Sequence, residues 1–190
     1  MDDSEAQDRE QLLLRIGTLC NDATLDSGSP TERALLDAAD GRGLDIDSIR
    51  ADQPRTDEVP FSSERKWMGT CHDETGYVKG APEVVVEMCD RVLTEEGPVE
   101  LTDQRRRRIT TVVEEFGDDA LRVLAFAYRE DVEETDDLRD GLIFVGLAGL
   151  IDPPREEIAG AIAATQRAGI DVKMVTGDNV RTGRAIAESV

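Results

Sequence analysis

Residues 58–83 read Glu58-Val59-Pro60-Phe61-Ser62-Ser63-Glu64-Arg65-Lys66-Trp67-Met68-Gly69-Thr70-Cys71-His72-Asp73-Glu74-Thr75-Gly76-Tyr77-Val78-Lys79-Gly80-Ala81-Pro82-Glu83. Short apolar runs are separated here by turn residues, a texture that predicts strands and not helices. Glu58 to Phe61, Lys66 to Cys71 and Tyr77 to Lys79 read as antiparallel strands, the last two joined by the turn His72-Asp73-Glu74-Thr75-Gly76. Pro82 then opens a short helix through Val85, Val86 and Cys89, because proline is well tolerated in a first turn.

Working outward, the flanks are helical. Leu12, Leu13, Ile16 and Leu19 fall at helical spacing, so a helix is expected from Glu5 to Leu19, ending near Cys20-Asn21-Asp22. Ser29-Pro30-Thr31-Glu32 reads as a second start, with Ser29 as N-cap, Pro30 at the first position and Glu32 as reciprocal capping partner. Ile109, Val112, Val113 and Phe116 predict a helix over Thr102 to Phe116. Its four consecutive arginines, Arg105 to Arg108, read as a solvated face or, alternatively, as a phosphate-binding patch.

Strand-like runs follow at Leu121 to Tyr128 and Leu142 to Leu150, and then the texture alternates. A helix is expected over Glu156 to Ala168, a strand over Asp171 to Val175 and a helix from Arg181 to Val190, the pattern of a parallel, helix-covered sheet. Two strands do not complete such a sheet. The expected architecture is therefore α+β: an antiparallel sheet flanked by helices over residues 1–145, followed by a partial α/β segment over residues 146–190.

Composition bounds the function. Forty-two acidic residues against 22 basic ones give a net charge of −20, which argues against non-specific contact with nucleic acid or an anionic membrane surface. Lys66, Lys79 and Lys173 are the only lysines. Excess acid with scarce lysine suits a protein adapted to high salt, where screening relieves self-repulsion. Cys20, Cys71 and Cys89 are odd in number and widely spaced, and they read as small buried hydrophobes. His72 beside Cys71 makes no zinc-like spacing. No apolar run approaches the roughly 20 residues needed to span a bilayer, so the chain reads as soluble by itself.

Three segments carry chemistry. Lys79-Gly80-Ala81-Pro82-Glu83 joins a strand end to a helix start with a cation at the edge and a glycine that admits a ligand to the backbone. Taken alone, the spacing favours a plain strand-to-helix turn. Phe61 to Met68 brings together an aromatic ring, Arg65, Lys66 and a thioether, which suits a purine and its phosphates, or else a hairpin whose Phe61 and Met68 are core. Met174-Val175-Thr176-Gly177-Asp178-Asn179 ends an apolar strand in a glycine turn suited to an anion. Asp152-Pro153-Pro154-Arg155 makes a similar junction or a simple cap.

In this order, these segments resemble the P-type ATPases, specifically the second-type cation pumps that include calcium, sodium/potassium and proton pumps. The resemblance is carried by Leu19-Cys20-Asn21-Asp22-Ala23, Pro30-Thr31-Glu32-Arg33-Ala34-Leu35, Phe61 to Met68, Lys79 to Glu83, Leu121-Arg122-Val123-Leu124-Ala125, Asp152 to Arg155 and Thr176-Gly177-Asp178-Asn179. It implies a nucleotide-binding domain followed by part of a haloacid-dehalogenase-like phosphorylation domain. Phe61 is then expected to stack on adenine, Glu32 to lie near its amino group, and Lys66 and Met68 to line the pocket. Lys79 and Gly80 are expected to form the floor, and Arg122 to approach the phosphates. Glu32 is also accounted for by its cap. Ser63 stands where many relatives carry Arg, and Arg33 where many carry Gly.

The resemblance further implies that Thr176, Gly177 and Asp178 hold the transferred phosphoryl group and that Asp152 and Arg155 belong to the hinge side. ATP, with Mg²⁺ in the parent protein, is the implied cofactor, and the implied partners are the actuator, phosphorylation and membrane domains of that parent. The chain would then be soluble material at the cytoplasmic face of the cell membrane. The family's phosphorylated aspartate lies in an Asp-Lys-Thr-Gly-Thr motif that this sequence lacks, so the isolated chain is expected to bind nucleotide without turning it over. The competing readings are a truncated stand-alone regulatory or interaction protein, and a free phosphatase, for which the N-terminal helix supplies no nucleophilic aspartate at a strand end.

The charge balance makes a first prediction. Raising KCl from about 0.1 M to about 2 M shortens the Debye length from about 10 Å to under 3 Å, and the thermal unfolding midpoint, followed by circular dichroism, should rise. A flat or falling midpoint would refute the high-salt reading.

Overall fold

The structure is a computed structural model that describes residues 3–119, 121–151 and 156–175, together with residues 184 and 187. The elements run α1 (Asp3–Leu19), α2 (Pro30–Gly41), α3 (Ile46–Asp52), β1 (Asp57–Val59), β2 (Trp67–His72), β3 (Thr75–Gly80), α4 (Pro82–Val85), β4 (Cys89–Thr94) and β5 (Gly97–Glu100). After these come α5 (Asp103–Asp118), β6 (Arg122–Glu130), a 3-10 turn (Thr135–Arg139), β7 (Leu142–Leu150) and α6 (Glu156–Arg167).

The seven strands form one sheet in the order β1-β2-β3-β6-β7-β4-β5. Strands β1, β2, β3, β6 and β7 pair antiparallel in succession, as does β4 with β5, but β4 pairs β7 in parallel. The sheet is thus mixed, which corrects the expectation of an antiparallel one. Between β4 and β7 lie a strand, a helix and a further strand, so no hairpin dictates their relative direction. A crossover of that length permits parallel pairing, and local periodicity carries no information about it.

Both faces of the sheet are covered, and alternation along the strands sorts residues between them. Met68, Tyr77, Phe126 and Val145 face Ile16, Leu19 and Cys20 at the end of α1 and Leu35 of α2. Trp67, Val78, Ala125, Ala127 and Phe144 face the other way, toward Val85, Leu101, Val132 and Leu138, with Ile109 of α5 packed against that layer. Leu138 of the 3-10 turn is fully buried. It sits where β2 and β3 carry Gly69 and Gly76: a Cβ at Gly69 would lie 2.7 Å from its Cδ1, and one at Gly76 would lie 2.1 Å from its Cδ2. The two glycines make the hole that this leucine fills.

Local signals account for the helix ends. Ser29 caps α2 by accepting the Glu32 N–H at 3.3 Å, and Thr102 caps α5. Helix α3, which the sequence reading does not anticipate, starts at Asp45, whose Oδ1 accepts the Ser48 N–H at 2.9 Å. This helix carries Arg50, whose guanidinium donates to the carbonyls of Thr18 and Ala23, and Arg55 donates to those of Leu19 and Asn21. Together they satisfy the end of α1, where carbonyls lack helical partners and cations are favoured.

Two further corrections follow from pairing. Helix α4 stops at Val85, and Cys89 begins a strand, because β4 and β5 form a hairpin docked on β7. The charged residues Asp90, Arg91, Glu95 and Glu96 hide its alternation in the sequence. The run Asp171 to Val175 is not a strand; Val172, Met174 and Val175 are exposed, and no described strand pairs with them. A strand exists only with a hydrogen-bonding neighbour. The helix expected from Arg181 lies outside the described residues except for Arg184 and Ala187, which are helical.

Leu138→Ala should lower the unfolding free energy by about 2–5 kcal/mol, and Gly76→Ala by about 1–3 kcal/mol through overpacking. The double variant should lose less than the sum, because the shortened side chain frees the space that the new Cβ needs. Urea denaturation of the four proteins checks this, and strict additivity would refute the glycine-hole account.

Candidate functional site

The β2–β3 hairpin places Met68 opposite Lys79, and β6 places Phe126 on its other side. Lys79 therefore points to the α1/α2 face, where an ammonium needs a partner. Glu32 supplies it: Nζ lies 3.0 Å from Oε1, and the two side chains are only 7% and 18% exposed. The carboxylate has two further partners. Oε1 also accepts the Asp22 N–H at 3.3 Å, and Oε2 accepts the Ser29 hydroxyl at 3.2 Å. Ser29 caps α2 as expected, but the Glu32 carboxylate accepts the Ser29 hydroxyl where the reciprocal cap calls for the Ser29 N–H, and the same carboxylate serves as the counter-ion of Lys79. Such hydrogen bonds offset the desolvation that makes an isolated buried pair costly.

The loop from Phe61 to Lys66 enters β2 at the end of the sheet where β3 leaves it, because Trp67 pairs Gly80. The loop is tied down: the Lys66 N–H donates to the Ser62 carbonyl at 2.7 Å, the Arg65 N–H to Ser62 Oγ at 3.1 Å, and the Ala81 N–H to the Lys66 carbonyl at 2.9 Å. Lys66 adopts a left-handed backbone, φ 60°. A Cβ on Gly80 would come within 2.6 Å of the Lys66 carbonyl oxygen, so this close approach requires glycine.

Phe61 is 61% exposed, while Met68 is buried among Ile16, Cys20, Leu35 and Phe126. The two alternatives left open by their sequence spacing therefore divide: Met68 is core and Phe61 is not. Lys66 Nζ meets Glu83 Oε1 at 3.0 Å, a pair more than half exposed on both sides and hence weak. Arg122 begins β6 with an exposed side chain, four residues from Phe126, roughly 13 Å along the strand from Lys79 and at the same sheet end. The structure thus gathers Glu32 and Lys79 in contact and sets Phe61, Lys66, Gly80 and Arg122 around one end of the sheet. Asp152, Arg155, Thr176, Gly177 and Asp178 lie outside the described residues.

Other polar candidates resolve as structural. His72 Nδ1 donates to the Gln53 carbonyl at 2.8 Å, and its Nε2 accepts the Thr70 hydroxyl at 3.0 Å, with burial holding the imidazole below its ordinary 6.5. Cys20, Cys71 and Cys89 are free and buried. Burial pushes the Cys20 thiol up although Lys79 pulls it down, and Cys89 is pushed up to about 12 by burial. In the arginine run, Arg106 donates to the carbonyls of Val86 and Cys89 and Arg105 to that of Glu100, so half of it clamps backbone.

Sequence reading gave no individual role to Asn21, which is buried and bonded to both α1 and α2. A polar side chain just past a predicted helix end was the available signal. Arg50 and Arg55 carried no signal, since their acceptors are carbonyls remote in sequence.

Fold and site together define an α+β domain that holds a lysine–carboxylate pair and an exposed aromatic loop at one end of its sheet. The family model described as P-type ATPase, cytoplasmic domain N, matches residues 10–157, and the chain belongs to that family. It is 41% identical over 196 residues to the cation-transporting ATPase pma1 of Synechocystis sp., covering 94% of this chain and 21% of that protein. Similarity to calcium-transporting ATPase 1 of Lactococcus lactis is 37% over 194 residues (95% and 22%), and to that of Yarrowia lipolytica 35% over 194 residues (94% and 21%). The chain spans about a fifth of the length of these relatives.

Replacing Lys79 by Met should cost about 3–5 kcal/mol in urea unfolding, because Glu32 is left half-buried without its cation. Adding Glu32→Gln to Lys79→Met should recover part of that loss, and no recovery would refute the pairing as the source of the cost.

Proposed function

We propose that this chain is the ATP-binding cytoplasmic portion of a P-type cation-transporting ATPase, and that the parent delivers the γ-phosphate of ATP to an aspartate not present in this chain. The observation that carries the reading is Phe61: a large aromatic ring, 61% exposed, on a loop pinned beside the sheet end that also holds the Glu32–Lys79 pair. Exposed rings on tethered loops suit base stacking. Phe61 takes the adenine face, Glu32 its amino group, and Lys66 with the buried Met68 behind it shapes the pocket wall. Lys79 and Gly80 make the floor, where glycine lets the ligand approach the backbone, and Arg122 reaches toward the phosphates.

Residues 1–145 form the nucleotide-binding domain in this reading, and residues 146–190 begin a haloacid-dehalogenase-like phosphorylation domain, with β7 crossing the join. Asp152, Arg155, Thr176, Gly177 and Asp178 belong to its hinge and phosphoryl-holding segments. The reaction is attack by a carboxylate on the γ-phosphorus, in which the protein chiefly positions groups and neutralises charge. Mg²⁺ would supply part of that neutralisation in the parent. Among the described residues no three Asp, Glu, His or Cys side chains converge on a cation, so no step is assigned to the metal here. The remaining actuator, phosphorylation and membrane domains are the partners, and the domain works at the cytoplasmic face of the membrane. No helix among the described residues is long and apolar enough to cross one.

ATP titrated into the isolated chain should shift amide NMR signals around Phe61, Gly80 and Glu32 without release of phosphate. Phe61→Ala should weaken binding about 5- to 100-fold, the worth of one stacked base. Unshifted signals at millimolar ATP would overturn the reading.

A further inference from the structure

Asn21 lies two residues beyond the end of α1 and is 3% exposed. Both side-chain N–H groups and the side-chain oxygen have partners. Nδ2 donates to the Gly17 carbonyl at 2.8 Å and to the Glu32 carbonyl at 3.0 Å, and Oδ1 accepts the Ala23 N–H at 2.8 Å. Its own carbonyl accepts from Arg55 Nη2 at 2.8 Å. Asn21 therefore fastens the last turn of α1 to the first turn of α2, and it does so at Glu32 itself. The next residue completes the grip, since the Asp22 N–H donates to Glu32 Oε1. Glu32 is thereby held twice: by its carbonyl through the Asn21 side chain, and by its carboxylate through the peptide that Asn21 anchors.

The consequence concerns lone pairs. A carboxylate offers about four acceptor positions. Lys79 and the Asp22 N–H occupy both on Oε1, and the Ser29 hydroxyl occupies one on Oε2. One acceptor position remains, on Oε2. A ligand group meeting it must donate; a carbonyl oxygen there would face a carboxylate oxygen, with both left unsatisfied.

We propose that Asn21 is a positioning residue for base recognition: it fixes Glu32 so that the single open lone pair on Oε2 selects a purine bearing an exocyclic amino group over one bearing a carbonyl at the same place. This rests on the adenine reading above. Removal of the Asn21 amide leaves Lys79 and Ser29 in place, so Glu32 stays charged and paired but loses its fixed direction. Selectivity should fall before affinity does.

The test compares ATP with inosine triphosphate, which carries a carbonyl where ATP carries the amino group, by calorimetry on the full 190-residue chain. The unaltered chain should prefer ATP about tenfold, the worth of one hydrogen bond and the repulsion that replaces it. Asn21→Ala should bring the ratio close to one while changing inosine triphosphate affinity by less than about twofold. If Asn21→Ala weakens both nucleotides in proportion, or leaves the ratio unchanged, Asn21 is a fastener alone and the proposal fails while the adenine reading stands. If the unaltered chain binds both nucleotides equally, or neither, the adenine reading fails and the proposal with it. Should Asn21→Ala not fold, the unaltered chain still decides: its Asn21 side-chain amide NMR signals should shift with ATP and not with inosine triphosphate, and equal or absent shifts overturn the proposal.

Discussion

A lysine ammonium cannot be left unpaired on the packed face of a sheet, and Lys79 occupies such a position between Met68 and Phe126. Much of the arrangement around it satisfies that constraint. Helix α2 must begin where its first turn can bring Glu32 to Nζ, so the segment between α1 and α2 must turn back on itself within a few residues. Asn21 makes that turn rigid, and Arg50 and Arg55 hold the carbonyls it would otherwise leave open. The ion pair is thus less a source of stability than a condition that orients two helices against one hairpin.

The same condition separates the two lysines of the sheet end. A cation held by a counter-ion and nearly sealed from solvent is fixed in place, whereas the exposed Lys66–Glu83 pair is free to exchange partners. Burial alone therefore sets one lysine in a fixed pair and the other in a loose one, although both carry the same charge. Phe61 complements them: its loop is closed by main-chain hydrogen bonds, so the ring stays presented without core contacts.

Much of this was legible in the residues. Helix α1, the Ser29 cap, the β2–β3 hairpin and strands β6 and β7 follow from periodicity and turn chemistry, because their signals are local. Motif order identified the P-type ATPase family, which the match over residues 10–157 bears out. The β4–β5 hairpin was missed because charge obscured its alternation, and α3 because seven residues hold too few turns for a periodic signal.

What the sequence determined by itself is the inventory: which segments can be helix or strand, which side chains bear charge, and which family the ordered motifs belong to. Tertiary structure alone decided pairing and burial. The parallel join of β4 to β7, the exposure of Phe61 against the burial of Met68, and the service of Glu32 as both cap and counter-ion depend on residues far apart in the chain. Each is settled by competition for partners in space: hydrogen bonds for strands, solvent exclusion for apolar groups, counter-charge for Lys79.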